Sequence, residues 1–147
     1  MLSKMIRIAA SGHSMQFDLQ GEPYILHCMR VMNGLNTKDD ELKMIAVGHD
    51  LFEDTTVKDE YLRACGFSSR VVNGIHAMSK TKGQVYDDYL EQVLANDDAV
   101  LVKMSDLRDN SRIDRMVGTT DRDLRRITKY FKAYETLQNA AIERGLI

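Results

Sequence analysis

A histidine and an aspartate stand side by side where a helical pattern predicts buried side chains. His49 follows Ile45 by four residues, which is about one turn of a helix. Asp50 follows Ala46 at the same spacing, so both polar residues continue an apolar face. Such residues need a partner, because an unpaired buried charge is costly. A bound cation is one such partner, and the alternative is a helix end that is acidic by chance.

Two acidic residues follow one turn later. Glu53 and Asp54 come four residues after His49 and Asp50 in the run HDLFED. The first pair could bind a metal ion while the second acts on a water molecule. Acidic side chains at the C-terminal end of a helix oppose its dipole, which makes a chance occurrence less attractive. The spacing therefore indicates Glu53 and Asp54 as a candidate catalytic pair.

Two more polar residues are expected near the core. His27 lies in an apolar helix, where a lone histidine is more often a satisfied core residue than a ligand. Asp106 follows the apolar run 99–104, and Asn110 shares its helix face and could donate its amide to a substrate oxygen or ribose. His27 and Asp106, together with His49 and Asp50, form a mixed nitrogen and oxygen donor set. Such a set suits manganese or a similar divalent ion better than a thiolate site would.

The spacing of apolar residues predicts an all-α fold in which residues 1–147 form one domain. One proline and nine glycines favour long helices over a sheet rich in tight turns. The expected helices are 4–15, 23–33, 37–54, 58–65, 70–78, 84–94, 97–110 and 120–143. The last helix is expected to bury a stripe formed by Leu124, Ile127, Phe131, Tyr134, Leu137 and Ala141.

Composition excludes several functional classes. Apolar residues make up 44% and charged residues 29%, which is typical of a folded globular protein. The net charge of −2 gives no global attraction to nucleic acid or membranes, so local charges must hold any anionic substrate. With no apparent signal peptide or membrane-spanning run, and with Cys28 and Cys65 interpreted as reduced thiols, we expect a cytoplasmic protein. The sequence does not indicate an oligomeric state.

Three sequence blocks contain most of these candidates: GEPYILH at 21–27, GHDLFEDT at 48–55 and VKMSDLRDN at 102–110. In order and spacing they resemble the HD-domain hydrolases of the RelA/SpoT homologue family, and most closely its small single-domain alarmone hydrolases. The resemblance covers nearly the whole chain and implies an all-α HD-type helical bundle. It also implies Mn²⁺-dependent hydrolysis of the 3′-pyrophosphate of guanosine penta- or tetraphosphate, (p)ppGpp, which yields GTP or GDP and pyrophosphate.

The resemblance also implies roles for individual residues. The implied metal ligands are His27, His49, Asp50 and Asp106. The pair that activates or positions the attacking water is Glu53 and Asp54. Asn110 matches a nucleotide-contacting residue near the ribose. Lys103 and Arg112 lie in matching segments, where they would hold phosphates or stabilise the site.

One block departs from the family pattern. Asp18 and Leu19 replace a basic pair that in the family packs near the base or the phosphates. An acidic residue near a polyanionic substrate is unfavourable unless it points away. Lys80 and Lys82 could restore positive charge, although a solvated loop is an equal alternative, and Tyr86 could stack on a base or line the pocket.

Two other functions stay open. An HD phosphohydrolase with the same metal site could act on another nucleotide, such as an adenine alarmone, the 2′-phosphate of NADPH or a dNTP. A nucleotide sensor that has lost catalysis is the third possibility, and the retention of Glu53 and Asp54 argues against it. In every case the expected partner is a small-molecule nucleotide.

Overall fold

The computed structural model describes residues 1–116 and 120–147. In these residues the helices are α1 Leu2–Gly12, α2 Ile25–Asn33, α3 Asp40–Gly48, α4 Leu51–Asp54, α5 Asp59–Ala64, α6 Ser69–Met78, α7 Tyr86–Leu94, α8 Asp97–Asn110 and α9 Asp121–Glu143. A 3-10 helix, Ile113–Arg115, follows α8. The β-structure of the described ranges is limited to one isolated bridge between Phe17 and Pro23. The predicted all-α fold is confirmed.

Helix α3 forms the centre of the fold. Helices α1, α2, α6 and α8 all pack against it, and each residue from 44 to 48 is buried. A helix surrounded in this way must be apolar on all sides, which the run MIAVG provides. It begins at Asp40 rather than at the predicted Thr37, because Asp39 is the capping residue and accepts from the amides of Glu41 and Leu42.

The backbone departs from helical angles at Asp50, where φ is −99° and ψ is 3°, so the single helix predicted over 37–54 is wrong. Helix α3 ends at Gly48, and α4 begins at Leu51. Nδ1 of His49 lies 2.8 Å from the carbonyl oxygen of Ala46, the group that would accept from the amide of Asp50 in a continuous helix. A side chain that occupies this carbonyl is a known cause of helix kinks. The kink places His49 and Asp50 at a junction between two helices.

Helix α9 packs against α8 and α7 along a narrower line than predicted. Its buried residues are Ala133, Leu137 and Ala141, spaced one turn apart. Leu124 and Phe131 are exposed, so this part of the predicted stripe is wrong. Leu124 precedes Ala133 by two and a half turns, which places it on the opposite side of the helix. Helix α9 therefore contacts α7 and α8 through one face and exposes the face that contains Leu124 and Phe131.

Helices α2, α3 and α8 contact one another in pairs. His27 lies on α2, His49 and Asp50 follow α3, and Asp106 lies on α8. The packing of three helices therefore brings together side chains that are far apart in the sequence. In the described part of the chain, every helix is too short or too polar to cross a membrane.

Candidate active site

His27 and His49 present the same ring nitrogen to a common point. Nδ1 of His49 must donate to the Ala46 carbonyl, since that oxygen can only accept. Nδ1 of His27 lies 2.7 Å from Oδ2 of Asp109 and donates to it in the same way. In the neutral rings, each Nε2 atom therefore carries a lone pair. Both Nε2 atoms are buried and have no hydrogen-bond partner among the described residues.

Two carboxylates face these unpartnered nitrogens. Oδ1 of Asp106 lies 3.1 Å from Nε2 of His27 and 3.7 Å from Nε2 of His49. Oδ2 of Asp50 lies 2.9 Å from Nε2 of His49 and 3.9 Å from Nε2 of His27. The arrangement sets lone pairs against carboxylate oxygens, which is unfavourable without a positive charge between them.

The donor set fits a divalent cation. Ligand atoms of His27, His49 and Asp106 all lie within 4.8 Å of one another, and all three residues are buried. Two imidazoles and one or two carboxylates suit Mn²⁺, Fe²⁺ or Zn²⁺ in preference to Ca²⁺ or Mg²⁺, whose ligands are oxygens. A possible metal site is thus present at the predicted position. The identity of the metal stays a prediction, as does the inclusion of Asp50 among its ligands.

The electrostatics of the cluster favour positive charge at the same point. Burial lowers the pKa of His49, but Asp50 and Asp106 outweigh it and hold that pKa well above its ordinary value. Burial raises the pKa of Asp106, but Lys103 and the two histidines outweigh it and hold that pKa well below its ordinary value. The pKa of His27 is also raised, because Asp106 and Asp109 outweigh the effect of its burial, which lowers it. In the absence of a metal ion, a proton can supply this charge.

Asp106 is fixed by two neighbours that the sequence predicted as substrate contacts. Nζ of Lys103 donates to Oδ2 of Asp106 at 2.8 Å, and its side chain is only 14% exposed. Nδ2 of Asn110 donates to Oδ1 of the same carboxylate at 2.7 Å. Both residues thus orient a candidate ligand, and their contact with a nucleotide stays a prediction.

Sequence reasoning missed two residues that hold the candidate ligands in place. Asp109 binds Nδ1 of His27, and the hydroxyl of Tyr24 donates to Oδ2 of Asp50 at 2.6 Å. Hydrogen bonds to the far side of a metal ligand, such as these, set its tautomer and orientation. Their spacing in the sequence could have indicated both residues. Asp109 follows Asp106 by three residues and Tyr24 precedes His27 by three residues, so each lies on the same helix face as a candidate ligand.

The acidic pair lies on α4, and its two members point toward different partners. Oε1 of Glu53 accepts from the backbone amide of Lys80, and Oδ2 of Asp54 accepts from Nε2 of Gln16 at 2.8 Å. Partial burial raises the pKa of Glu53, Asp50 and Asp54 raise it further, and the Lys80 amide opposes them. A carboxylate with a raised pKa is better suited to accept a proton near neutral pH.

Two cavities have in their walls residues that adjoin the candidate ligands in sequence or by a hydrogen bond. One, of about 470 Å³, is lined by Phe52, Glu53, His76, Ala77, Ser79, Lys80, Thr81 and Gln92. The other, of about 250 Å³, has Tyr24 and Asn110 in its wall, and each of these is hydrogen-bonded to a candidate ligand. A larger cavity of about 820 Å³ lies between α1 and residues 56–61 and contains none of the predicted site residues.

Three other predicted substrate contacts, Tyr86, Lys80 and Arg112, lie outside the candidate metal cluster. Tyr86 is partly buried, with Nζ of Lys129 3.6 Å above its ring, so a lysine that sequence reasoning missed stands beside it. Lys80 is exposed at the cavity of Glu53. Arg112 pairs with Asp114 at 2.5 Å and lines a separate surface cavity with Arg30. These roles stay predictions.

The acidic substitution at position 18 is compensated within the chain. Oδ2 of Asp18 lies 3.3 Å from Nη2 of Arg115, and Oδ1 accepts from the amides of Gln20 and Glu22. Asp18 is therefore neutralised and does not present a free negative charge. Leu19 is 80% exposed.

Helices that bring one histidine, a His-Asp pair and a distant aspartate to one buried point define an HD-type fold. The chain is similar to the guanosine-3′,5′-bis(diphosphate) 3′-pyrophosphohydrolase of Haemophilus influenzae, with 30% identity over 128 residues. That match covers 81% of this chain and 19% of the relative, so the chain spans about a fifth of the relative's length. No protein-family model matches the chain.

A solved structure of a metazoan ortholog of SpoT, which hydrolyzes ppGpp and plays a role in starvation responses, has the same fold. The TM-score is 0.73 and the identity 22%, over 99% of this chain and 96% of that one. Together the two comparisons confirm the resemblance predicted from the three sequence blocks.

Proposed function

We propose that this protein is a metal-dependent phosphohydrolase that removes the 3′-pyrophosphate from (p)ppGpp and yields pyrophosphate with GDP or GTP. The observation that carries the proposal is the pair of buried, unpartnered Nε2 atoms of His27 and His49 facing two carboxylates. The substrate is inferred from the names of the two similar proteins, of which one is a 3′-pyrophosphohydrolase and the other hydrolyzes ppGpp.

The cation would be held by His27, His49, Asp50 and Asp106, and Mn²⁺ is the ion we propose. A bound divalent cation neutralises charge on the phosphate under attack and lowers the pKa of water at the site. The protein's part is to keep both histidines in the tautomer that leaves Nε2 free. Asp109 and the Ala46 carbonyl do so by accepting from the Nδ1 atoms.

Glu53 is the group that we assign to the attacking water. Its carboxylate follows Asp50 by one helical turn and is held at one oxygen by the Lys80 amide, so the other oxygen can accept a proton. Asp54, which accepts a hydrogen bond from Nε2 of Gln16, would help Glu53 to position the same water. We also propose a cytoplasmic location for the protein, as the sequence predicts.

The test is a nucleotide panel of ppGpp, pppGpp, an adenine tetraphosphate analogue, NADPH and dNTPs, each with Mn²⁺. We expect pyrophosphate release from ppGpp and pppGpp, with loss of activity on chelation of the metal. The matched variant is Glu53→Gln, which keeps size and hydrogen bonding, and should retain Mn²⁺ but lose turnover. Release of phosphate from NADPH or a dNTP alone would contradict the guanine substrate, and full activity of Glu53→Gln would contradict the role of Glu53.

A further inference from the structure

The carboxylate of Glu53 is held by the loop between α6 and α7, residues 79–85. Oε1 of Glu53 accepts from the backbone amide of Lys80, and both residues lie in the wall of the 470 Å³ cavity. That amide belongs to the peptide group between Ser79 and Lys80. The orientation of Glu53 therefore depends on what holds this one peptide group in place.

The carbonyl of the same peptide group is bound by a side chain of α7. Nε2 of Gln92 lies 3.0 Å from the carbonyl oxygen of Ser79 and donates to it. A trans peptide group is planar, so its N–H and C=O point in opposite directions. Gln92 and Glu53 thus contact opposite edges of one planar group, and rotation of that group would break both hydrogen bonds.

Further contacts fix the amide of Gln92 itself. Its two N–H bonds are shared among three carbonyl oxygens, since Nε2 also lies 3.1 Å from that of His76 and 3.2 Å from that of Ala77. The last carbonyls of a helix lack partners within it, so a side-chain donor is favourable there. Oε1 of Gln92 accepts from Nε2 of Gln84 at 3.1 Å. With both polar atoms bonded, the amide of Gln92 is held in one orientation.

Gln84 restrains the loop on the other side of Lys80. Its Oε1 accepts from the backbone amide of Thr81 at 3.0 Å, and its own backbone amide donates to the Thr81 carbonyl at 3.0 Å. Gln92 therefore binds Ser79 directly and Thr81 through Gln84. These are the two residues that flank Lys80, so the loop is restrained on both sides of the Lys80 amide.

We propose that Gln92 is a positioning residue for the hydrolysis, because its bond to the Ser79 carbonyl aims the Lys80 amide at Glu53 and so directs the free oxygen of that carboxylate at the attacking water. The proposal rests on the proposed function for the role of Glu53. Gln92 acts through the peptide group and takes no part in the proton transfer. A general base is effective only when its accepting oxygen lies within hydrogen-bond reach of the proton.

Hydrogen exchange at the Lys80 amide tests this role without turnover. Gln92→Met keeps the approximate length of the side chain and removes its hydrogen bonds. In the Mn²⁺-loaded variant, this amide should exchange roughly tenfold faster or more, because local opening of the loop becomes easier. Mass spectrometry with electron-transfer fragmentation resolves the exchange at single amides. The affinity for Mn²⁺ should be unchanged.

The kinetic effect is measured with the nucleotide that the substrate panel identifies. In Gln92→Met, kcat should fall roughly tenfold, a part of the hundredfold or more that a general base contributes, while KM is unchanged. The Lys80 amide lowers the pKa of Glu53, so its loss raises that pKa and moves the acid limb of the kcat profile to higher pH. Other titratable groups act on Glu53 or line its cavity and are unchanged in the variant: Asp50, Asp54, Lys103, His76 and Lys80.

Tyr89→Phe is the matched control. The Tyr89 hydroxyl donates to the Met78 carbonyl at 2.7 Å, so it binds the same end of α6 but a different peptide group. Phenylalanine keeps the ring over which Lys103 lies. This variant should lower the free energy of unfolding, as Gln92→Met does, and leave the Lys80 exchange and the acid limb unchanged.

Unchanged exchange at Lys80 in Gln92→Met would overturn the proposal. The same changes in Tyr89→Phe would also overturn it, since they would reduce the role of Gln92 to capping of α6. Faster exchange with an unchanged kcat would overturn the positioning role. A wild type that turns over no nucleotide would count against the proposed function, and the exchange at Lys80 would still decide whether Gln92 holds the loop.

Discussion

Asp109 and His27 are 82 residues apart in the sequence, and they are joined by a 2.7 Å hydrogen bond between Oδ2 and Nδ1. The carboxylate is fixed in turn by Arg30, whose Nε donates to Oδ1 at 2.8 Å, and by Arg115. These contacts lower the pKa of Asp109 to about 2, although its burial acts in the opposite direction. Asp109 therefore stays ionised and keeps the Nδ1 proton on His27, which leaves Nε2 free to bind a metal ion.

Asp109→Asn should weaken metal binding without removing a ligand. An asparagine keeps the shape of the side chain but loses the charge that holds His27 in its tautomer. Loss of a hydrogen bond that orients a metal ligand typically costs about tenfold to a hundredfold in metal affinity. Electron paramagnetic resonance of free Mn²⁺ measures this loss, with the exposed Asp88→Asn as the control. Equal affinities for Asp109→Asn and the wild type would show that His27 is oriented by other contacts.

Lys103→Met should destabilise the metal-free protein more than the metal-loaded one. The ammonium of Lys103 is the cation nearest to Oδ2 of Asp106 in the described structure, and removal of one partner of a buried pair costs about 3 kcal/mol or more. A bound cation would compensate Asp106 and reduce this loss. Urea unfolding with and without Mn²⁺ tests the difference, and the exposed Lys132→Met is the control. The same loss in both conditions would argue that the metal does not bind at Asp106.

The activity should fall on the acid side as Glu53 takes up a proton. Its pKa is raised, first by partial burial and then by Asp50 and Asp54, so protonation begins above the ordinary glutamate value of 4.5. A general base must be deprotonated, so kcat decreases as the pH falls through this raised pKa. The pH profile should be recorded with Mn²⁺ occupancy measured at each point. A flat profile at constant occupancy, down to the ordinary value, would exclude Glu53 as the base.

Arg70→Met should remove a contribution to stability that depends on pH. Nη2 of Arg70 lies 2.7 Å from both Asp39 and Asp98. Burial raises the pKa of Asp39, but Arg70 and the backbone amides of Leu42 and Glu41 together outweigh it and hold that pKa below its ordinary value of 3.8. The contribution is therefore present above pH 3.8 and is lost as the pH falls through the lowered pKa of the folded state.

These side chains are partly exposed, so the loss at neutral pH should be roughly 1 kcal/mol, the value of a surface ion pair. Urea unfolding at neutral pH and well below 3.8 measures it, and the two proteins should differ only at neutral pH. A difference that persists in acid would indicate lost packing rather than lost charge. The exposed Arg125→Met is the control for the removal of one surface arginine.

Periodicity alone could predict the inward direction of His49 and Asp50, because their neighbours one turn earlier are Ile45 and Ala46. It could not predict the kink between α3 and α4. That kink depends on a hydrogen bond between the ring of His49 and the Ala46 carbonyl, and no spacing of apolar residues encodes such a bond.

His27 and Asp106 could be predicted only when three sequence blocks were considered together, since each is one polar residue in an apolar helix. Arg115 was beyond sequence reasoning altogether. Its partners Asp18 and Asp109 are 91 residues apart in the sequence, one before α2 and the other near the end of α8, and the packing of these two helices brings both carboxylates to one guanidinium.

The most direct test of the metal centre is anomalous scattering from crystals of the protein grown with Mn²⁺, recorded at the manganese edge. We expect one peak within bonding distance of Nε2 of His27 and Nε2 of His49, with carboxylate oxygens of Asp50 and Asp106 completing the protein ligands. A peak elsewhere, or a buried cluster in which protonated histidines contact the two carboxylates while Mn²⁺ is in excess, would contradict the account.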